Sequence, residues 1–130
     1  MRQIVAGLRR TMKVRPAAVW SSPLRRTVQT AELIAAGLAI PAPVLCEGLA
    51  PDGDPGAFGA TLRSAPDAVI LVGHQPGLGE LASQLLTGTD ELAFLPFRKG
   101  AAACIRMPGP GPCGQLQWFM TPAQLARLGR

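Results

Sequence analysis

A chain of 130 residues has the size of one domain with a true hydrophobic core. Charged residues make up 16 % of it, against roughly 25 % in a typical soluble protein, so most of the chain is expected to be packed. The net charge of +5 suits an acidic or phosphate-bearing partner, while scattered arginines, six aromatic residues (two Trp, four Phe) and the lack of RNP or zinc-finger spacing argue against nucleic acid.

Residues 1–13 place Met1, Ile4, Val5, Leu8 and Met12 on one helical face, with Arg9, Arg10 and Lys13 towards the C-terminal end. This helix opens at the first residue, with no cap and no strand before it. Residues 17–21, AAVWS, read as a short strand. Ser22 and Pro23 follow as N-cap and first helical residue, and Leu24, Val28, Ala31, Ile34, Ala35 and Leu38 continue as an amphipathic helix whose frayed end Gly37 marks. Arg25 and Arg26 fall in its first turn, where the helix dipole disfavours cations unless an anion sits beside them.

Residues 41–56 are loop-rich, with a short strand at 44–46. Asp52 and Asp54 lack the further ligands of a calcium loop. A weak helix is expected over 57–65. Residues 67–86, DAVILVGHQPGLGELASQLL, form the clearest unit. An apolar, β-branched run from Ala68 to Val72 predicts a strand buried on both faces, and Gly73 ends it. Pro76 is placed as a first helical residue, and Leu78, Leu81, Ala82, Leu85 and Leu86 share one helical face. His74, the single histidine, lies in the link between them. Ligands bind at that edge of open parallel sheets, and a helix N-terminus there offers free N–H groups to an anion. A further short strand is expected over 92–97. Strands over 101–107 and 115–120 flank PGPGPCG as a hairpin with a loose loop, and Thr121-Pro122-Ala123-Gln124 begins a last helix with a capping box.

Three places compete for chemistry. Arg26, with Arg25, and His74 occupy matching strand–turn–helix settings. If both strands are parallel members of one sheet, the two groups open on one edge and converge on one phosphate, which Arg grips as a planar fork and His as a donor. A lone histidine in such a link is more often a satisfied loop residue, and an arginine pair in a first turn is more often solvated surface. Their matching settings decide for a site. Glu47, near a strand end, is a candidate proton donor, though a surface carboxylate is the commoner role. Arg98 and Lys99 read as a solvated hairpin entrance. Walker A, G-x-G-x-x-G, G-x-S-x-G and histidine-rich metal patterns are all missing, so no metal or other cofactor is expected. Cys46, Cys104 and Cys113 are odd in number and contain no C-x-x-C, which predicts reduced thiols and a cytoplasmic protein. No apolar run approaches membrane-spanning length, so no membrane partner is expected, and the reading is of a soluble monomer.

SSPLRRTVQTAE, from Ser21 to Glu32, resembles the S-x-L-x-R-A-x-Q-T-A segment of the histidine phosphatase (phosphoglycerate mutase-like) superfamily. VGHQPGL, from Val72 to Leu78, resembles that family's second histidine motif, G-H-x-P. The small size and the closing pattern FRKGAAACIR…LQWFMTP look most like the short phosphohistidine phosphatases of the SixA type, and the likeness covers nearly the whole chain. The resemblance implies a three-layer α/β/α fold around a mostly parallel sheet, and a phosphate pocket of two arginines and two histidines. Arg26 matches the second arginine, His74 the second histidine and Ser22 the motif's serine, while Glu47 falls near where some branches place a proton donor. Thr27 replaces the usual alanine, a change expected to be harmless. The implied substrate is a phosphorylated protein carrying phosphohistidine, or a small phosphorylated molecule.

The family also begins with a strand ending in Arg-His-Gly, whose histidine is the nucleophile, and this chain has no counterpart. Residues 1–13 match the helix that normally follows that strand. Residues 1–130 are therefore expected to be one domain missing its first, central strand, and inactive as they stand. The favoured explanation is a further ~30–40 upstream residues, as one strand, a loop and a helix start need. The other is a phosphate-binding remnant without turnover.

Overall fold

The computed structural model describes residues 1–89, 91, 94–109 and 114–130. Its elements are α1 (Arg2–Thr11), β1 (Ala18–Ser21), α2 (Arg25–Leu38), β2 (Val44–Leu45), α3 (Pro55–Thr61), β3 (Val69–Val72), α4 (Gly77–Thr87), β4 (Ala102–Arg106), β5 (Gln115–Met120) and α5 (Pro122–Leu128), with 3-10 turns at Glu47–Leu49 and Leu62–Ser64. β2, β1 and β3 pair in that order as a parallel sheet, and β4 and β5 form a separate antiparallel pair with an irregularity between Cys104 and Ile105. This is the expected α/β architecture with a parallel sheet between helical layers.

The strand period of two separates the layers. Val19, fully buried, points to one face and packs with Val5 and Leu8 of α1 and with Ala31, Ile34 and Ala35 of α2, joined by Ile70 and Val72. Trp20 and Leu71, each one residue on, turn to the other face and meet Leu49, Phe58 and Leu81. Trp20 and Phe58 are edge-on, with ring centroids 6.2 Å apart, a geometry the aromatic quadrupole favours. α5 lies across α1 with Leu125 wholly buried. Its capping box is as expected: Thr121 Oγ1 accepts from the Gln124 amide at 3.2 Å and Gln124 Oε1 from the Thr121 amide at 2.9 Å.

Several local expectations need correction. α2 runs to Leu38 as expected, but its left-handed cap is Ala39 (φ 55°, ψ 46°) and not Gly37. Gly37 instead marks a close approach, since a Cβ there would stand 2.4 Å from Cγ1 of Val5. Asp54 is a helix cap, its carboxylate accepting from the Gly56 amide at 2.9 Å, so α3 begins before residue 57. Residues 94–97 form no strand, because the chain turns where the Phe97 amide donates to Leu95 O at 2.9 Å. Phe97 packs edge-on against Phe119 at 5.4 Å. Residues 92 and 93, and residues 110–113 with Cys113, lie outside the described residues.

β3 is half-buried along its whole length rather than buried on both faces. Its only ladder partner among the described residues is β1. The carbonyls of Ala68 and Val72 accept from Ala17 and Ser22 on that side, so the alternating backbone directs the polar groups of Val69, Leu71 and Gly73 the other way. There they border a groove of about 1680 Å³ that β3 shares with β4 and α1. Among the described residues no helix is long and apolar enough to cross a membrane.

Candidate active site

The parallel register of β1 and β3 pairs Ser21 with Val72. Both strands therefore end together, and the residues after them, Ser22 and His74, emerge on one edge. The Ser22 amide donates to Val72 O at 3.0 Å, which fixes the end of β1 against β3. Ser22 Oγ lies 2.8 Å from His74 Nε2, a hydrogen bond between residues from the two motifs. Ser22 Oγ is also hydrogen-bonded to Thr27 Oγ1 in the first turn of α2. Ser22 and Thr27 are buried, at 0 % and 6 % exposure, so little water competes for these bonds.

Ser22 is not the N-cap expected from its place before a proline. The cap position is Leu24 and α2 starts at Arg25. The serine oxygen is committed across the sheet to His74 and reaches only the Leu24 amide, at 3.3 Å. Pro76 is likewise the residue before α4 rather than its first residue. The expectation of free N–H groups at that helix start also fails for most of its first turn. The Leu78 amide donates to His74 O at 2.8 Å, the Glu80 amide to Pro76 O at 3.0 Å, and the Gly79 amide to Gln75 Oε1 at 2.8 Å. The chain satisfies its own donors here, so an anion would rely on side chains.

Arg26 is exposed in the first turn of α2, with no acidic residue in that turn, and it lines the same groove as His74. Arg98 and Lys99 line it too, on a turn closed by the Ala101 amide donating to Arg98 O at 2.8 Å. Gly100 supplies the left-handed conformation of that turn (φ 87°). The pair read from sequence as a solvated hairpin entrance is thus part of a basic rim. Among the described residues the groove wall carries Lys13, Arg26, Arg63, Arg98, Lys99 and Arg106 against one acid, Asp67, a balance that attracts anions. Glu47 is exposed at the start of its 3-10 turn and does not line the groove. Cys46 and Cys104 are free, and burial raises both thiols above their usual pKa, which disfavours thiolate nucleophiles.

Sequence reasoning names Thr27 but takes it for a harmless replacement of alanine. Its signal was present, a hydroxyl at a helix start where the related motif has alanine, but its reach to Ser22 depends on the chain's path through Pro23 and Leu24.

Residues 1–50 match the model of the histidine phosphatase superfamily, branch 1. An uncharacterised protein of Picosynechococcus sp. is 43 % identical over 95 residues, covering 65 % of this chain and 58 % of that protein, so the chain spans little more than half that relative's length. Among solved structures the chain is similar to the protein histidine phosphatase SixA complexed with tungstate, with a TM-score of 0.78 and 27 % identity over 95 % of this chain and 80 % of that one.

Proposed function

We propose that the chain is a member of the histidine phosphatase superfamily, whose branch 1 model matches its residues 1–50, and that Arg26 and His74 bind a phosphoryl group whose source is protein phosphohistidine. The observation that carries this reading is the meeting of the two motifs: Ser22 holds the His74 ring at 2.8 Å, on a groove that Arg26 also lines. The similarity to a protein histidine phosphatase bound to an oxyanion supports it.

In this reading the Arg26 guanidinium grips two phosphoryl oxygens as a fork. His74 donates from the ring nitrogen that Ser22 does not hold, and with both nitrogens protonated it also brings a positive charge where negative charge gathers during transfer. Arg98 and Lys99 raise the local anion concentration without fixing its orientation. A phosphohistidine imidazole leaves readily once protonated, so Glu47, the proton-donor candidate, is dispensable from its place outside the groove wall. In-line transfer also takes a nucleophilic histidine. The sequence holds one histidine, and this reading gives it to binding. These 130 residues then bind phosphate without turning it over, since losing a nucleophile costs a comparable covalent enzyme on the order of 10⁶ in rate.

Phosphate at about 100 times its Kd would raise stability by about 2.7 kcal/mol, and Arg26→Ala and His74→Ala are each expected to abolish that protection. Phosphate release from a phosphohistidine peptide is expected only when an N-terminal strand ending in Arg-His-Gly is fused to the chain. Protection unchanged in both variants would overturn the site. Faster release from a sugar phosphate than from the peptide would move the substrate to small molecules. The single histidine also favours a second reading, a phosphoprotein-binding module without turnover, in which the fused chain binds phosphate but stays inactive.

A further inference from the structure

We propose that Thr27 sets the tautomer of His74, acting through Ser22, so that the neutral ring carries its proton on Nε2 and leaves Nδ1 as the nitrogen available to a ligand. The inference follows from counting protons, because a hydroxyl has one to give and two lone pairs with which to accept. Thr27 Oγ1 stands 2.8 Å from Leu24 O and 3.4 Å from Ser22 O. Both are carbonyls and only accept, so the threonine proton is committed to one of them, Leu24 O being the nearer. This back-bond to the preceding turn is an ordinary habit of threonine in a helix.

Thr27 Oγ1 is then an acceptor towards Ser22 Oγ. The serine spends its single proton there and has only lone pairs left for its other neighbours. One takes the Leu24 amide at 3.3 Å and the other faces His74 Nε2 at 2.8 Å. For that contact to be a hydrogen bond, Nε2 must bear the proton. Every donor and acceptor of Ser22 Oγ is then used, which its complete burial demands. In the opposite arrangement Ser22 donates to His74 and Thr27 gives its proton to the serine; Leu24 O then keeps only the Val28 amide and Ser22 O only the Ser21 hydroxyl, so the cluster makes one hydrogen bond fewer and the ring carries an Nδ1–H with no acceptor among the described residues. Among the described residues Nδ1 has no hydrogen-bond partner. Alanine at position 27 would free the serine proton and the ring would lose its orientation signal, so the threonine is a positioning residue rather than a harmless variant.

The consequence for ligand binding rests on the phosphatase reading; the tautomer does not. A deprotonated phosphoryl oxygen only accepts, so Nδ1 must carry a proton to hold one, whereas a P–OH can donate to Nδ1 as it stands.

The test is nitrogen NMR on the ¹⁵N-histidine-labelled full chain, where one histidine gives one unambiguous pair of ring nitrogens. At alkaline pH, with the ring neutral, the parent protein is expected to show a protonated Nε2 and an unprotonated Nδ1. Thr27→Val is expected to bring in an Nδ1–H population, and Thr27→Ser to remove it again. An Nδ1–H ring in the parent overturns the inference outright, whether or not the variants fold. So does a folded Thr27→Val protein with the parent's tautomer ratio. Adding inorganic phosphate separates this from the functional reading. An Nε2–H ring whose Nδ1 signal ignores phosphate removes the phosphatase site and leaves the tautomer standing. An Nδ1–H ring that responds to phosphate does the reverse.

Discussion

Two glycine-to-alanine substitutions, at Gly7 and Gly59, are expected to move stability in opposite directions. Gly7 lies in α1 where α5 crosses it, and a Cβ at that position would stand 1.8 Å from Leu125 O and 2.7 Å from Leu125 C. The first distance is little more than half the 3.4 Å at which ordinary contact begins. The obstacle is backbone, so no rotamer change relieves it and the helices must part. A Cβ at Gly129 would likewise stand 1.9 Å from Gln3 O, so α5 is fitted to α1 at two points and has little room to pivot. Parting them overpacks the crossing, at about 1–3 kcal/mol, and re-exposes some of Leu125, a fully buried leucine being worth about 1.5–3 kcal/mol. Against this stands a gain of about 0.8–1.0 kcal/mol from alanine's better helix propensity. Gly7→Ala is therefore expected to lose about 2 kcal/mol or more, a large share of the ~5–15 kcal/mol that holds a domain together. Gly59 sits inside α3, and a Cβ there meets nothing within 4 Å, so Gly59→Ala keeps the propensity gain and is expected to stabilise by about 0.5–1 kcal/mol. Urea unfolding followed by Trp20 and Trp118 fluorescence measures both midpoints, with the slope m as a check that the unfolded state is unchanged. A Gly7→Ala protein as stable as its parent would refute the backbone-to-backbone crossing of α1 and α5.

Thr121→Ala removes the capping box of α5 and is expected to cost about 1 kcal/mol in the same assay; an unchanged midpoint would show the cap idle. The raised thiols of Cys46 and Cys104 predict slower alkylation of the folded protein than of the urea-unfolded chain at one pH. Because the folded state holds these protons more tightly, their contribution to stability is present below the usual thiol pKa and is lost as pH rises through the raised values. Alkylation at equal rates in both states would remove that linkage. Lys99→Gln is expected to weaken phosphate binding several-fold at low salt and hardly at all at high salt, as a screened rim charge does; a salt-independent loss would place Lys99 in direct contact with the anion.

Much of the site was legible because it is written in local signals. The apolar run before Gly73, the periodic leucines after it and the matching unit around Ser22 each follow from side-chain spacing along a strand or helix. Together they placed Ser22, Arg26 and His74 at strand ends. The errors are of another kind. Ser22 and Pro76 carry the chemistry of helix starts, yet each helix begins later, at Arg25 and Gly77, because the serine oxygen is claimed by a residue from another strand. Gly37 looked like a stop signal and is a point of contact with Val5. Arg98 and Lys99 looked merely solvated because nothing in their neighbourhood tells which groove their turn borders.

The sequence by itself determined most of the strands and helices, the apolar faces of the longer helices and the capping residues that begin α5, since these depend on neighbours a few residues away. Only the tertiary structure decided that Ser22 meets His74, that Thr27 stands behind them, and that β3 opens on a basic groove. Those facts come from the parallel register that sets Ser21 beside Val72. A pairing between segments some fifty residues apart leaves no mark in the local spacing of either one.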